Sequence, residues 1–138
     1  DDAARASGEY IGMRASPNFV PHWTRETRWF YSGMGAHWKE ATAYARSEKW
    51  EKAAERWQHL YETSNSWKTQ AKVASNIALG YEMNSELKEA YDWAKKSYDL
   101  FKKNEGDQGK NTRLLYLYVE ALANRIRSDK KLNMQFGE

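Results

Sequence analysis

The chain has 138 residues, a length that suits one domain and is short for two. Its 22 basic and 19 acidic residues nearly balance at a net charge of +3, so we expect neither a broad positive field nor a nucleic-acid partner. Cysteine is absent, which excludes disulfides, thiolate catalysis and thiolate-bound zinc. Few residues are Val or Ile, whereas seven Trp and nine Tyr supply apolar area for a core. The composition therefore favours an all-α fold.

The first part of the chain differs in composition from the rest. Pro17 and Pro21 are its two prolines and lie close to several Gly and Ser residues, which predicts an irregular linker or docked arm over residues 1–22. Residues 23–138 are then the helical-repeat domain. The chain begins without an initiator Met or a signal-like apolar run, so we expect a mature form or an excised domain. No stretch approaches the roughly 20 apolar residues of a membrane span, so we expect no membrane insertion by this domain.

Apolar residues at helical spacing predict five helices joined by short turns. Gly33 and Gly35 each cost about 1 kcal/mol relative to Ala in a helix, so a kink or break is expected in the first one. Asn84 and Ser85 are the predicted caps of the fourth helix. The first three predicted helices cover residues 24–47, 48–63 and 67–83, the fourth ends at 104–106, and the fifth begins near Lys110.

The helices repeat with a fixed period of 37 residues, which relates Tyr44 to Tyr81 and Tyr81 to Tyr118. The same offset relates Ala41 to Ala78 and brings Leu115 to the third equivalent position. Helices one, three and five are therefore equivalent, as are helices two and four. Such a period is the signature of a helix-hairpin repeat.

The residue order within each repeat resembles that of tetratricopeptide domains. Two successive hairpins carry a small residue, a Tyr, a bulky residue, an Ala and a further packing residue. These are Ala41, Tyr44, Trp50, Ala53 and Trp57, followed by Ala78, Tyr81, Leu87, Ala90 and Ala94. The resemblance covers residues 36–122 and implies a tetratricopeptide-like stack of two helix hairpins plus a C-terminal capping helix.

A narrower resemblance rests on the segments 50–57, 74–82 and 90–96. They are similar to the C-terminal repeat region of an uncharacterised family of Bacteroidetes lipoproteins. The resemblance implies that the parent is a cell-envelope protein, periplasmic or an outer-membrane lipoprotein, with a further N-terminal domain and no known activity. The absence of cysteine is also compatible with a cytoplasmic protein.

The sequence offers no convincing catalytic or metal-binding pattern. His22, His37 and His59 have no partner at metal-ligand spacing on a shared helical turn, so we expect them to face solvent or a groove. Glu51 and Glu55 lie among basic residues on a polar face, which predicts solvation rather than acid/base work. No nucleophile has a recognisable activating partner. We therefore expect no enzyme activity, no metal and no cofactor.

A column of hydrogen-bond donors is the main candidate site. Lys39, Asn76 and Arg113 recur at the 37-residue period on the helices expected to line the concave groove of the stack. Together they are suited to hold a carboxylate such as a peptide C-terminus. Asn76 and Arg113 match two positions of the carboxylate-clamp type of tetratricopeptide domain, whereas its first-repeat positions hold Trp38 and Thr42 here. The other predicted groove residues are Trp38, Thr42, Arg46, Glu82, Tyr116 and Glu120.

Other interpretations of these residues remain open at this point. The donor column is explained more simply by internal hydrogen bonds and salt bridges to Glu82, Glu86 or Glu120. A basic cluster lies near the end of the last predicted helix and comprises Arg125, Arg127, Lys130 and Lys131. We expect these cations to complement the dipole of a capping helix rather than to bind nucleic acid or an anionic membrane.

The expected function is a non-catalytic protein-protein interaction module of a cell-envelope protein, which binds a peptide or partner protein in the groove of helices one, three and five. One alternative is a purely architectural repeat that packs on the absent N-terminal domain. The other is a glycan-binding module built on exposed aromatic rings, for which the candidates are Trp23, Trp29, Trp38, Trp67 and Trp93. The oligomeric state is not fixed by the sequence.

Overall fold

The computed structural model describes residues 28–135, and over this range the fold is all α, without a strand. The predicted fold class is confirmed at this level, whereas the predicted arm over 1–22 lies outside the described residues. The helices are α1 (Ala36–Arg46), α2 (Trp50–Thr63), α3 (Trp67–Met83), α4 (Leu87–Glu105) and α5 (Lys110–Gln135).

The chain divides into two compact units, one that ends at Ser64 and one that begins at Asn65. In the first unit, α1 and α2 pack as a hairpin. In the second, α4 packs against both α3 and α5. The interpretation of residues 23–138 as one helical-repeat domain stays a prediction.

The prediction of the first helix is wrong at its N-terminal end. The described residues before α1 are not helical, and the helix begins only after Gly35, whose φ of 105° is incompatible with a helix. Gly33 lies so close to Trp38 that an added Cβ would come within 2.8 Å of the indole ring. Phe30 is buried, with its ring centroid 6.0 Å from that of Trp57. Phe30 therefore packs on the first unit from a non-helical segment.

The turns within the two hairpins repeat the 37-residue period in their backbone geometry. Glu48 and Ser85 are equivalent by this period, and both adopt left-handed φ angles, 61° and 63° respectively. In each turn the residue after the left-handed one donates its N–H in a hydrogen bond to the carbonyl of the repeat tyrosine. The corresponding bonds are Lys49 to Tyr44 at 2.8 Å and Glu86 to Tyr81 at 2.9 Å. The hairpin repeat inferred from side-chain spacing is therefore also present in the main chain.

A serine caps the N-terminus of α3, whereas the caps predicted for α4 are wrong. The Ser66 side chain accepts a hydrogen bond from the N–H of Thr69 at 3.2 Å, as expected of a serine N-cap. Asn84 instead forms the C-cap of α3, and the N-cap of α4 is Glu86, whose side chain makes no capping bond. Ser85 has a left-handed φ angle and belongs to the turn, so the N-cap of α4 falls at the next residue, Glu86.

The small-residue positions of the repeat form the core, whereas the tyrosine column does so only in part. Ala41, Ala78 and Leu115 are fully buried. Tyr118 is also buried, whereas Tyr44 and Tyr81 are only half-buried. Of three further aromatic residues on α2 and α4, Trp57 is buried, and Trp50 and Tyr91 are half-buried.

Candidate functional site

A surface pocket of about 330 Å³ lies between α4 and α5 in the second unit. One wall comes from the last turns of α4, the other from the first two turns of α5, and the connecting loop adds one residue. The lining residues are Tyr98, Lys102, Asp107, Thr112, Arg113, Tyr116 and Leu117.

The α4–α5 turn sets the relative position of the two walls. Gly106 ends α4 at a φ of 83°, a conformation that favours glycine. Gly109 closes the turn by donating its N–H to the Gly106 carbonyl at 3.1 Å. A Cβ on Gly109 would lie 2.8 Å from the Cβ of Glu105, so this close approach also requires glycine. The chain consequently reverses within four residues and α5 runs back along α4.

Two cations give the pocket its electrostatic character. The Lys102 ammonium lies 3.7 Å from Oδ1 of Asp107 and 5.8 Å from the ring centroid of Tyr98. Arg113 is exposed, and its guanidinium makes no hydrogen bond or ion pair within the described part of the chain. Asp107 offsets the charge of Lys102, so the guanidinium of Arg113 is left to attract an anion.

An exposed aromatic and aliphatic wall adjoins this cation. The rings of Tyr98 and Tyr116 lie 6.2 Å apart between centroids at an interplanar angle of 51°. Tyr116 is 52% exposed and Leu117 is 64% exposed. Tyrosine is among the residue types that carry much of the binding energy at protein interfaces.

Thr112 contributes a polar atom whose bonding capacity is unused. Its Oγ1 is buried and has no hydrogen-bond partner among residues 28–134. A buried hydroxyl without a partner costs roughly 1–3 kcal/mol on the scale of protein mutations. A turn of its side chain toward the pocket would let an occupant satisfy it.

The predicted groove residue Glu82 has an internal role. It is 2% exposed, and its Oε1 accepts a hydrogen bond of 2.8 Å from the Tyr118 hydroxyl. Its Oε2 accepts a bond of 2.7 Å from Nη1 of Arg125. These bonds connect α3 to α5 within the second unit. Arg125, predicted as part of a basic cluster at the end of the last helix, is therefore engaged in an ion pair.

Asn76 also departs from the predicted donor column. It is fully buried, so its amide is not a surface donor, and the column of three exposed donors is wrong at this position. The reason is that α3 is buried on every side from Val73 to Gly80, which leaves this stretch no solvent face.

The remaining predicted site residues are divided between the two units. Arg113 and Tyr116 line the pocket, and Glu120 is exposed one helical turn beyond Tyr116. The rest belong to the first unit: Trp38 is buried, Thr42 is half-buried, and Lys39 and Arg46 are exposed. A single groove that joins the first, third and fifth helices stays a prediction.

The sequence reasoning missed five residues of the pocket, because it considered only equivalent positions on alternate helices. Helical spacing was the available signal. Tyr98 and Lys102 lie four positions apart on α4, as do Thr112 and Tyr116 on α5, so each pair shares one helix face. The missed residues are Tyr98, Lys102, Asp107, Thr112 and Leu117.

A family model matches residues 39–124, which is more than half of the chain and includes every residue of the pocket. The chain belongs to the DUF6340 family. This family is described as a domain of unknown function. No curated protein and no solved structure matched the chain. None of the helices of this DUF6340 chain, over the residues described, is long and apolar enough to cross a membrane, as the sequence predicted.

Proposed function

We propose that this DUF6340 domain is a non-catalytic protein-interaction module that binds a peptide segment of a partner protein in the α4–α5 pocket. The observation that carries the proposal is Arg113, an exposed guanidinium without an ion pair in residues 28–134, beside the exposed side chains of Tyr116 and Leu117. A cation beside an apolar wall suits a ligand that offers a carboxylate and a bulky side chain.

The chemistry of the pocket favours a peptide C-terminus over an internal segment. Arginine binds a carboxylate through two parallel N–H donors, which fixes the orientation of the anion. The cavity of about 330 Å³ is at the lower end of the roughly 300–1,000 Å³ of ligand pockets, so it suits one anchoring residue. A terminal residue brings a carboxylate and a side chain to the same place. Arg113 would take the carboxylate, while Tyr116 and Leu117 contact the side chain.

We further propose that the hairpins form a tetratricopeptide-like stack and that the parent is a cell-envelope lipoprotein of the Bacteroidetes type. The support for the stack is the 37-residue repeat and the matching turns at Glu48 and Ser85. The envelope location rests on the sequence resemblance of the repeat segments. A partner in the same compartment, such as another envelope protein, is the occupant consistent with it.

The glycan alternative has one observation in its favour among residues 28–134, which is the exposed ring of Tyr116. None of the tryptophans within residues 28–134 belongs to the exposed large apolar side chains, and Trp23 lies outside the described residues. Stacking on sugar rings requires accessible aromatic faces. The glycan and architectural alternatives are therefore outcomes of the test below.

The proposal is tested with random peptides displayed with free C-termini and selected on the full chain. Binding of a selected peptide is measured by fluorescence anisotropy for the wild type, for Arg113→Glu and for the matched control Arg127→Glu on the same helix. We expect Arg113→Glu to abolish binding and the control to retain it, because both make the same change in net charge but only Arg113 lines the pocket. Amidation of the peptide's C-terminus and high salt should both weaken binding.

Two results would overturn the proposal. One is a selected peptide that binds Arg113→Glu as tightly as the wild type. The other is the selection of no peptide by a chain shown to be folded by circular dichroism, which would favour the glycan and architectural alternatives.

A further inference from the structure

Two histidines that are 22 positions apart in the sequence lie together on the first unit. The imidazole rings of His37 on α1 and His59 on α2 are 4.3 Å apart between centroids, at an interplanar angle of 37°. Both residues are exposed. No carboxylate within residues 28–134 pairs with either imidazole. The ring nitrogens are therefore available to a ligand from solvent.

The hairpin fixes this pair through contacts farther along the same face. Arg56 Nε donates a hydrogen bond of 2.7 Å to Oε1 of Glu40, one turn away from the two histidines on both helices. On the side of this ion pair away from the histidines, Nζ of Lys52 lies 5.7 Å from the ring centroid of Tyr44, and Cζ of Arg56 lies 5.8 Å from it. The two helices therefore align in an antiparallel register, in which His37 and His59 face each other as the next pair.

The ion pair also moderates the charge beside the histidines. Its hydrogen bond to Glu40 raises the pKa of the Arg56 guanidinium, and the carboxylate balances that positive charge. A cation that approaches the two imidazoles consequently meets a locally neutral pair rather than an isolated arginine.

We propose that His37 and His59 bind a divalent late first-row transition metal ion, of which Zn²⁺ is the simplest probe. Imidazole nitrogen is a preferred ligand of these ions. Zinc is bound at about 2.0–2.1 Å in a tetrahedral arrangement, which places two ligand nitrogens roughly 3.4 Å apart. The two ring centroids lie 4.3 Å apart, so side-chain rotation can bring one nitrogen of each ring to the same ion.

Water completes the coordination, because no group of three or more potential ligands occurs in the described part of the chain. An ion bound by one residue from each helix would link α1 to α2 and stabilise the hairpin. This site is on the first unit and shares no residue with the pocket proposed to bind peptide.

The test is a titration of the full chain with Zn²⁺ by isothermal calorimetry, with histidine ring resonances followed by NMR. The variants are His37→Gln, His59→Gln and the control His22→Gln, which alters the third histidine of the sequence. We expect one equivalent of Zn²⁺ to shift the His37 and His59 resonances. Loss of either ligand should lower the affinity at least about tenfold, since loss of even an outer-shell partner costs that much.

Two further measurements follow from the same geometry. A ligating imidazole must be deprotonated, so acidification should weaken Zn²⁺ binding. Zn²⁺ should also raise the midpoint of thermal unfolding in the wild type and in His22→Gln, but not in His59→Gln.

The proposal is overturned if Zn²⁺ does not bind the wild type, or if His37→Gln and His59→Gln bind it as tightly as the wild type does. Loss of binding in His22→Gln alone would likewise refute it. The variants change exposed side chains, and circular dichroism without metal verifies that they remain folded.

Discussion

Replacement of Tyr118 by Phe removes one oxygen from the interior of the second unit and leaves the ring in place. That hydroxyl donates a 2.8 Å hydrogen bond to the carboxylate of Glu82, which is 2% exposed. Tyr118 itself is 6% exposed, so water does not readily replace the lost donor. The substitution therefore isolates the bond from the packing of the aromatic ring.

The expected loss follows from the character of the acceptor. A hydrogen bond to a charged group contributes about 1.5–3 kcal/mol, compared with about 1 kcal/mol for a neutral pair. The carboxylate keeps its 2.7 Å bond to Arg125, whose side chain is 41% exposed and partly screened by water. No cavity of methyl size is created. We expect Tyr118→Phe to lower the free energy of unfolding by about 2 kcal/mol.

The assay is urea denaturation followed by far-UV circular dichroism, with Tyr116→Phe as the matched control. The control removes the same atom two positions earlier on α5, but Tyr116 is 52% exposed, so its change should stay within about 0.5 kcal/mol. A double-mutant cycle with Glu82→Gln should give a coupling energy of about 0.5–3 kcal/mol. The reasoning is refuted if Tyr118→Phe costs no more than Tyr116→Phe, or if the cycle gives no coupling.

Two further predictions concern the second unit. Thr112→Val should raise the free energy of unfolding by about 1 kcal/mol, because it removes a buried hydroxyl that has no hydrogen-bond partner in the described chain. An unchanged or lower free energy in urea denaturation would contradict this. The pKa of Lys72 lies below its ordinary value of 10.5 because half-burial and the charge of Lys68 disfavour its protonated form, whereas Glu105 opposes the shift. The folded chain thus releases this proton at a lower pH than the unfolded chain does, and the wild type should gain stability relative to Lys72→Met as the pH rises toward 10.5. Urea midpoints over a pH series measure this gain, and a constant difference between the two proteins would disprove it.

The helices of the hairpins were predictable because their signals are local. The predicted bounds of the third helix, 67–83, agree with those of α3, since apolar periodicity and the Ser66 cap lie within one segment. The first helix was predicted to begin too early because Phe30 and Met34 continue the helical spacing of Trp38 in the sequence. The backbone angle of Gly35 overrides that spacing.

The candidate site was predictable only in part, because exposure is a property of the packed chain. Arg113 and Tyr116 were selected from the repeat and do line a pocket. Asn76 was selected by the same argument and is buried, since an isolated helix does not indicate how many of its faces are covered. The His37–His59 pair was not expected, because its members belong to different helices and no period relates them.

The sequence by itself determined the all-α class, the 37-residue repeat and most helix bounds, because backbone propensity, capping and apolar spacing act over a few neighbouring residues. The tertiary structure alone decided which polar residues are buried and which distant side chains meet. Glu82 therefore became an internal ion-pair partner, whereas Lys102 and Arg113 came to line one pocket. These outcomes depend on the register in which helices pack, and that register is set by many simultaneous contacts rather than by any one segment.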